Sequence, residues 1–244
     1  MRLEKPLPWT APLFILLLLP GCDKSPAPPE PAVESSQEAA ATLENSTHGE
    51  PFDIAQVFFE LNTTDNDMGF QVFLDAEGWK RVTVTDPRGN PVTRLLAEGR
   101  LAEIGITELR FESAEPSPAA VRSRFPAGDY TFRGLTAEGA SLVSKARLSH
   151  SLLPAPTFSP RNGQVVNPRN LVVRWNAPGA EHVEIIIENT DLGDVFDVTA
   201  SGPTRQLTIP PEFLRRGKVY TIELLSIAEN GNRTIAESTF RTAS

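Results

Sequence analysis

The sequence predicts an all-β protein: two tandem β-sandwich domains that follow a disordered N-terminal segment. Three observations support this prediction. Beyond residue 50, apolar residues alternate with period two in short runs. Clusters of Gly, Pro, Asn and Asp separate these runs every 8–12 residues or so, which is typical of sandwiches. The 244 residues include a single cysteine, so no intramolecular disulfide can form and each core must be held by packing.

The first element is a short apolar run at the amino terminus. Arg2 and Lys5 precede ten residues with almost no polar side chain, Ala11–Pro20. As a helix this run would be about 15 Å long, half of what a bilayer core requires. It therefore indicates a signal peptide rather than a membrane span.

The apolar run ends at Leu19-Pro20-Gly21-Cys22, which resembles the bacterial lipobox. The resemblance implies cleavage between Gly21 and Cys22, with diacylglycerol and further acyl chains on Cys22, and so a periplasmic, membrane-anchored lipoprotein. Asp23 resembles a signal for retention at the inner membrane. An ordinary secretory signal followed by an incidental cysteine is the alternative, but the only cysteine of the chain lies where lipidation needs it.

The next segment, residues 22–50, is predicted to be a disordered tether. It consists mainly of Pro, Glu, Ala and Ser, which cannot bury enough apolar surface to offset the entropy of ordering. Pro26–Pro31 favours polyproline II, and a fully extended tether would reach roughly 90 Å.

The first domain is predicted over residues 51–152 as an Ig-like β-sandwich. Its predicted strands, separated by turns that include Glu77-Gly78, are Ile54–Asn62, Gly69–Asp75, Lys80–Thr85, Val92–Ala97, Thr107–Ser113, Tyr130–Leu135 and Ser141–Leu148.

Two further local features belong to this domain. Ser117 and Pro118 predict an N-cap and first position for a helix over Ala119–Arg124. Phe125–Tyr130 resembles the entry to a late strand of Ig-like domains, in which the tyrosine packs against its own preceding loop.

Two blocks of this domain, Phe58–Trp79 and Gly105–Pro116, resemble a family of uncharacterised bacterial proteins. In that family, such a region precedes a fibronectin-III-like module. The resemblance implies a domain order and no activity.

The second domain, residues 153–244, resembles a fibronectin type III module. Leu171–Trp175 is similar to strand B of that family, with Trp175 as the core indole. Leu214, Gly217 and Tyr220 match its Leu-x-x-Gly-x-x-Tyr corner, which implies that the Tyr220 hydroxyl bonds nearby backbone. The other predicted strands include His182–Glu188, Arg205–Ile209 and Ala236–Thr242. The chain contains no Arg-Gly-Asp, so integrin-type adhesion has no support.

The charge balance narrows the range of partners. The formal net charge is −8, and removal of residues 1–21, which carry +1, would leave −9. The sequence shows no Lys/Arg cluster to offset this charge. An acidic surface repels phosphate backbones, so nucleic acid is not an expected partner.

One oxygen-rich segment could bind a metal. Asp65 and Asp67, with Asp75 further on, are candidate calcium ligands, because Ca²⁺ takes six to eight oxygens. An EF-hand does not fit: counted from Asp65, Gly69 stands at position 5 rather than 6 and Ala76 at position 12. A hairpin loop in which Asp and Asn bond their own backbone is the favoured interpretation. No other cofactor is predicted.

Catalytic candidates are weak. His150 lies between two serines, but no Gly-x-Ser-x-Gly elbow accompanies it, and a backbone hydrogen bond explains it better. Carboxylate pairs such as Glu112 with Glu115, or Asp191 with Asp194, arise by chance in an acidic protein.

The leading prediction is a non-catalytic, lipid-anchored envelope protein whose modules contact another envelope protein or polymer. A calcium- or carbohydrate-binding module and a hydrolase with an unrecognised site remain as alternatives.

Overall fold

A computed structural model of the chain describes residues 48–189 and 191–244. Strands make up 55% and helices 6% of the described residues, which confirms the predicted all-β fold. The first module contains β1 (Ile54–Asn62), β2 (Asp67–Thr85), β3 (Pro91–Leu96), α1 (Arg100–Ile104), β4 (Ile106–Glu112), α2 (Pro118–Arg124), β5 (Gly128–Thr136) and β6 (Ser141–Leu148).

The long strand β2 organises this module. Its first half pairs with β1 and β4, and its second half pairs with β3 and β5, which continues to β6. Two separate strands, Gly69–Asp75 and Lys80–Thr85, were expected here with a turn at Glu77-Gly78. That expectation is wrong, because the chain runs on through register shifts between Asp75 and Arg81. Bulges of this kind bend a strand so that it can serve two sheets.

A glycine pair makes this bend possible. Gly105, just before β4, has φ +78°, and a Cβ there would lie 2.2 Å from the carbonyl carbon of Gly78. A Cβ on Gly78 would lie 2.6 Å from the carbonyl oxygen of Ile104. The two backbones therefore touch at a distance that only glycine permits. In the sequence, Glu77-Gly78 resembles a turn because glycine is common in turns. In the fold, Gly78 is needed for the close approach of two backbone segments instead.

The core of the first module lies between the two halves of β2 and their partners. The phase of β2 directs Val72, Leu74, Val82 and Val84 into this core, where all four are fully buried. The chain before β1 closes the open side, since Phe52 N–H donates to Ser144 Oγ on β6 at 2.9 Å.

The loop elements of this module follow the predicted chemistry with one exception. Ser117 and Pro118 take the N-cap and first position of α2, but the Ser117 side chain makes no capping hydrogen bond. Tyr130 is fully buried and its hydroxyl donates to the carbonyl of Pro126 at 3.0 Å. Burial, with Asp86 nearby, raises the pKa of Tyr130 above its ordinary value, so the hydroxyl stays a donor.

The second module is a two-sheet sandwich. Its strands are β7 (Thr157–Ser159), β8 (Gln164–Val166), β9 (Val172–Asn176), β10 (His182–Asn189), β11 (Asp194–Ser201), β12 (Gln206–Thr208), β13 (Val219–Ile227) and β14 (Arg233–Thr242). One sheet has the order β12-β9-β7 and the other β11-β10-β13-β14, with β8 added in parallel to β14. Strands that alternate between two sheets in this way are the Ig-like pattern.

The core of this module contains the three residues expected in it. Trp175, Leu214 and Tyr220 all lie in one buried cluster with the inward side chains of β10 and β13. The Tyr220 hydroxyl accepts a hydrogen bond from the backbone N–H of Arg215 at 2.8 Å. This bond fixes the loop that leads into β13.

A parallel pairing of β1 with β14 joins the two modules into one sheet. Glu60, Leu61 and Asn62 lie opposite Arg233, Thr234 and Ile235, and the sheet runs through both modules in the order β11-β10-β13-β14-β1-β2-β5-β6. The module boundary is therefore itself a hydrogen-bonded strand pair.

Two side chains of the β13–β14 hairpin reinforce this junction. Asn232, 1% exposed, accepts from Phe59 N–H at 2.8 Å and donates to the carbonyls of Ser149 and Ser151, both at 2.8 Å. Arg233 forms ion pairs with Glu60 at 3.4 Å and Glu184 at 3.3 Å. Burial nevertheless outweighs the attraction of Arg233 and raises the pKa of Glu60 to about 7.

Candidate functional site

A broad groove lies on the outer face of the β3-β2-β5-β6 sheet. This groove has a volume of about 870 Å³. The second half of β2 and the first part of β5 form its floor, β3 and β6 lie on either side of them, and the turn after β2 closes one end. We refer to it as the module 1 groove.

Four cationic side chains line the groove, one on each of its four strands. They are Arg94 on β3, Arg81 on β2, Arg133 on β5 and Lys145 on β6, and we call them the basic row. Because alternate residues of a strand point to one face, and Val82 and Val84 face the core, the register brings these four to the outer face together.

The strand register sets the spacing of the basic row. Thr83 pairs with both Arg94 and Arg133, while Arg81 lies one alternate position earlier on β2. Lys145 pairs with Thr131, one alternate position from Arg133. Strands about 4.8 Å apart and alternate residues about 6.8 Å apart place consecutive members about 8 Å from one another at Cα.

The two carboxylates of the groove wall are already engaged. Asp86 accepts hydrogen bonds from the backbone N–H groups of Arg88 and Asn90 and from the Asn90 side chain. Desolvation acts to raise the pKa of Asp86, but these hydrogen bonds outweigh it and hold that pKa below its usual range. Asp129 pairs with Arg147 at 3.3 Å in an exposed bridge. The groove therefore keeps a local positive balance in a protein of net charge −8.

One member of the basic row has a donor with no protein acceptor. The Nη1 atom of Arg81 is inaccessible to solvent and makes no hydrogen bond with any described residue. A guanidinium donor held in this state costs free energy unless a ligand supplies an acceptor. Arg81 therefore combines a place in the groove lining with one enclosed donor that has no acceptor among the described residues.

One exposed aliphatic side chain lines the groove. Leu96, at the end of β3, is 60% exposed and offers an apolar contact at the edge of the charged surface.

Sequence reasoning missed this site. The linear sequence holds no Lys/Arg cluster, and the four cations come together only in the folded chain. Residues 81, 94, 133 and 145 lie far apart in the sequence, so no run of charge marks them. The available signal was that all four stand within predicted strands, where the alternation of side chains assigns each one to a face.

The candidate calcium ligands are not brought together. Asp65 lies in the β1–β2 turn and Asp67 at the start of β2, where Asn62 organises the loop by accepting from Thr64 N–H at 2.9 Å. Asp75 is eight residues further along the strand, about 27 Å away. The described residues include no group of three His, Cys, Asp or Glu side chains suited to a metal. Calcium binding therefore remains a prediction without support from the described residues.

The other predicted sites have simple structural outcomes. His150 Nε2 is hydrogen-bonded to the carbonyl of Phe125 at 2.8 Å, and its ring lies 5.5 Å from that of Phe59. His150 thus packs against the first module, with its ring nitrogen on a backbone carbonyl. Gly21 and Cys22 lie outside the described residues, as does most of the predicted tether. No helix in the described part of the chain is long and apolar enough to cross a membrane.

No protein-family model and no curated protein matches this sequence. Solved structures similar to it include the FN1–FN3 domains of chicken CNTN1 (12% identity, TM-score 0.34, covering 80% of this chain and 67% of that one). A two-domain fibronectin type III segment of chicken tenascin has 10% identity, a TM-score of 0.31 and coverage of 78% and 97%. A bacterial ice-binding adhesin has 13% identity, a TM-score of 0.29 and coverage of 81% and 66%. At these identities and TM-scores, the similarities carry no information about what this chain binds.

Proposed function

We propose that this chain is a lipid-anchored protein of the bacterial cell envelope that binds a partner through the module 1 groove and catalyses no reaction. The observation that carries the proposal is the basic row, which gathers four cations on one face of an acidic protein. Electrostatic complementarity of this kind supplies specificity and speeds association.

The anchor and tether support the same role. The signal sequence and the lipobox resemblance predict acyl chains on Cys22, and two or more chains would hold the protein at the membrane. A tether reaching up to roughly 90 Å would let the two modules search a wide zone of the envelope. A partner bound within this zone meets the groove at high effective concentration.

The junction between modules also supports a binding role. Because β1 and β14 share one sheet and Asn232 joins three backbone groups across the boundary, the groove is held by a single two-module body. A surface on a rigid body loses less entropy when it binds than one on a flexible pair of domains.

In-cell crosslinking tests this proposal. A photo-crosslinking amino acid placed at Thr83, in the groove floor, should capture one reproducible envelope partner. The same group at Thr199, on the exposed side of β11, is the matched control and should not capture it. Equal capture at both positions, or no specific product at Thr83, would contradict the groove as a contact surface.

Lipidation is tested separately. Metabolic labelling with a fatty-acid analogue should mark the wild-type chain, and Cys22→Ser should abolish both the label and partition into detergent. Capture at Thr83 should fall in Cys22→Ser, since the anchor sets the local concentration. A Cys22→Ser chain that still partitions into detergent would contradict the anchor.

A further inference from the structure

We infer that the module 1 groove binds an extended acidic polypeptide segment whose carboxylates alternate along the chain. This inference rests on the proposed function, because it names the chemistry of the partner at the same groove. The occupant follows from the charge, the spacing and the polar lining of the groove.

Charge and geometry favour carboxylates. Three of the four cations are arginines, and a guanidinium presents a planar fork of donors that matches a carboxylate. The exposed aliphatic rim at Leu96 would cover an apolar side chain next to the acidic run.

The spacing favours a peptide. In an extended chain, side chains on one face recur about every 6.8 Å. Consecutive members of the basic row lie about 8 Å apart at Cα, and the length of the arginine side chain closes the difference. A peptide of the pattern Glu-x-Glu-x-Glu that crosses the strands diagonally would therefore meet Arg81, Arg133 and Lys145 in succession.

The groove floor suits a peptide backbone. Thr83, Thr85 and Thr131 lie between the cations, and each hydroxyl can both donate and accept a hydrogen bond. No aromatic side chain lines the groove, so the stacking surface that single-stranded nucleic acids require is missing there.

Binding can be measured with the full chain by fluorescence anisotropy. The probe is a labelled peptide of alternating Glu and Ser. The basic-row variant Arg81→Gln/Arg133→Gln should weaken peptide binding by about tenfold or more, because two charge-assisted contacts are lost. The matched control Arg169→Gln/Arg241→Gln removes the same charge from exposed positions of the second module and should change affinity by less than about twofold.

The outcomes separate the inference from the proposed function. The inference is supported if peptide binding is lost in the basic-row variant, retained in the control and weakened by salt. Both variants must also keep the wild-type melting curve. Equal loss in both variants overturns the inference, as does preference for polygalacturonate or inorganic polyphosphate of matched charge. In these cases capture at Thr83 would still support a groove-binding partner, whereas absence of that capture would contradict the proposed function itself. If the basic-row variant unfolds, a second variant tests the inference. Thr83→Arg adds positive charge to the groove floor and must tighten peptide binding.

Discussion

The two modules build a sandwich in different ways. The second divides its strands between two separate sheets, so each strand serves one sheet. The first bends the 19 residues of β2, so that one strand pairs with β1 and β4 in its first half and with β3 and β5 in its second. Because one strand serves both halves of the first core, we expect substitutions at the bend to cost more stability than equivalent ones in the second module. This difference also positions the groove, because the second half of β2 forms its floor.

The largest effect is expected at the bend. Trp79 is 1% exposed and its Nε1 donates to the carbonyl of Thr107 at 3.3 Å. Trp79→Ala should lower the free energy of unfolding by about 3–5 kcal/mol, since it empties an aromatic-sized volume in the core. Denaturant unfolding followed by circular dichroism would measure this loss.

The tryptophan of the second module sharpens the comparison. Trp175 Nε1 has no hydrogen-bond partner among the described residues. Replacement by Phe should therefore cost more at Trp79 than at Trp175, by about 1 kcal/mol, the usual value of one hydrogen bond. An equal cost at the two positions would show that the bend is no more demanding than the core of the second module.

The same difference explains what the sequence could predict. The second module carries its markers locally: Trp175 within a short apolar strand and Tyr220 three residues after Gly217. The course of β2 depends on Gly78 touching Gly105, residues distant in sequence, so Glu77-Gly78 resembled a turn. The basic row depends further on strand register, which periodicity alone does not supply.

The next effect concerns the junction. Asn232→Ala should lower the free energy of unfolding by about 2–4 kcal/mol, because it removes three hydrogen bonds and leaves the buried N–H of Phe59 unsatisfied. Calorimetry should then resolve two transitions where the wild type shows one, since the modules lose their coupling. Asn170→Ala, at an exposed turn of the second module, is the control and should leave the transition unchanged. A single transition in Asn232→Ala would indicate that the β1–β14 pairing alone couples the modules.

The two tyrosines allow a smaller and closely matched comparison. Tyr130 donates to a carbonyl four residues earlier, whereas Tyr220 accepts from an N–H five residues earlier. Tyr130→Phe and Tyr220→Phe should each cost about 1 kcal/mol, and the double variant should cost the sum, because the two sites are in different modules. Thermal unfolding would measure all three variants. A double variant that departs clearly from additivity would mean that the two corners are coupled through the shared sheet.

The smallest expected effect lies in the carboxylates of the shared sheet. Burial, together with Glu237 opposite it and Glu188 nearby, raises the pKa of Glu223 on β13 to about 7. The folded state therefore binds this proton more tightly than the unfolded state, in which the pKa is 4.5. The resulting stability is fully present below about pH 4.5 and is lost as the pH rises through about 7.

Glu223→Gln should flatten the decline in melting temperature over this range, by a modest amount because the side chain is only partly buried. Glu212→Gln, at an exposed position of the second module, should leave the decline as in the wild type. A steeper or unchanged decline in Glu223→Gln would show that the other carboxylates near Arg233, among them Glu60 and Glu184, dominate the pH response of the junction.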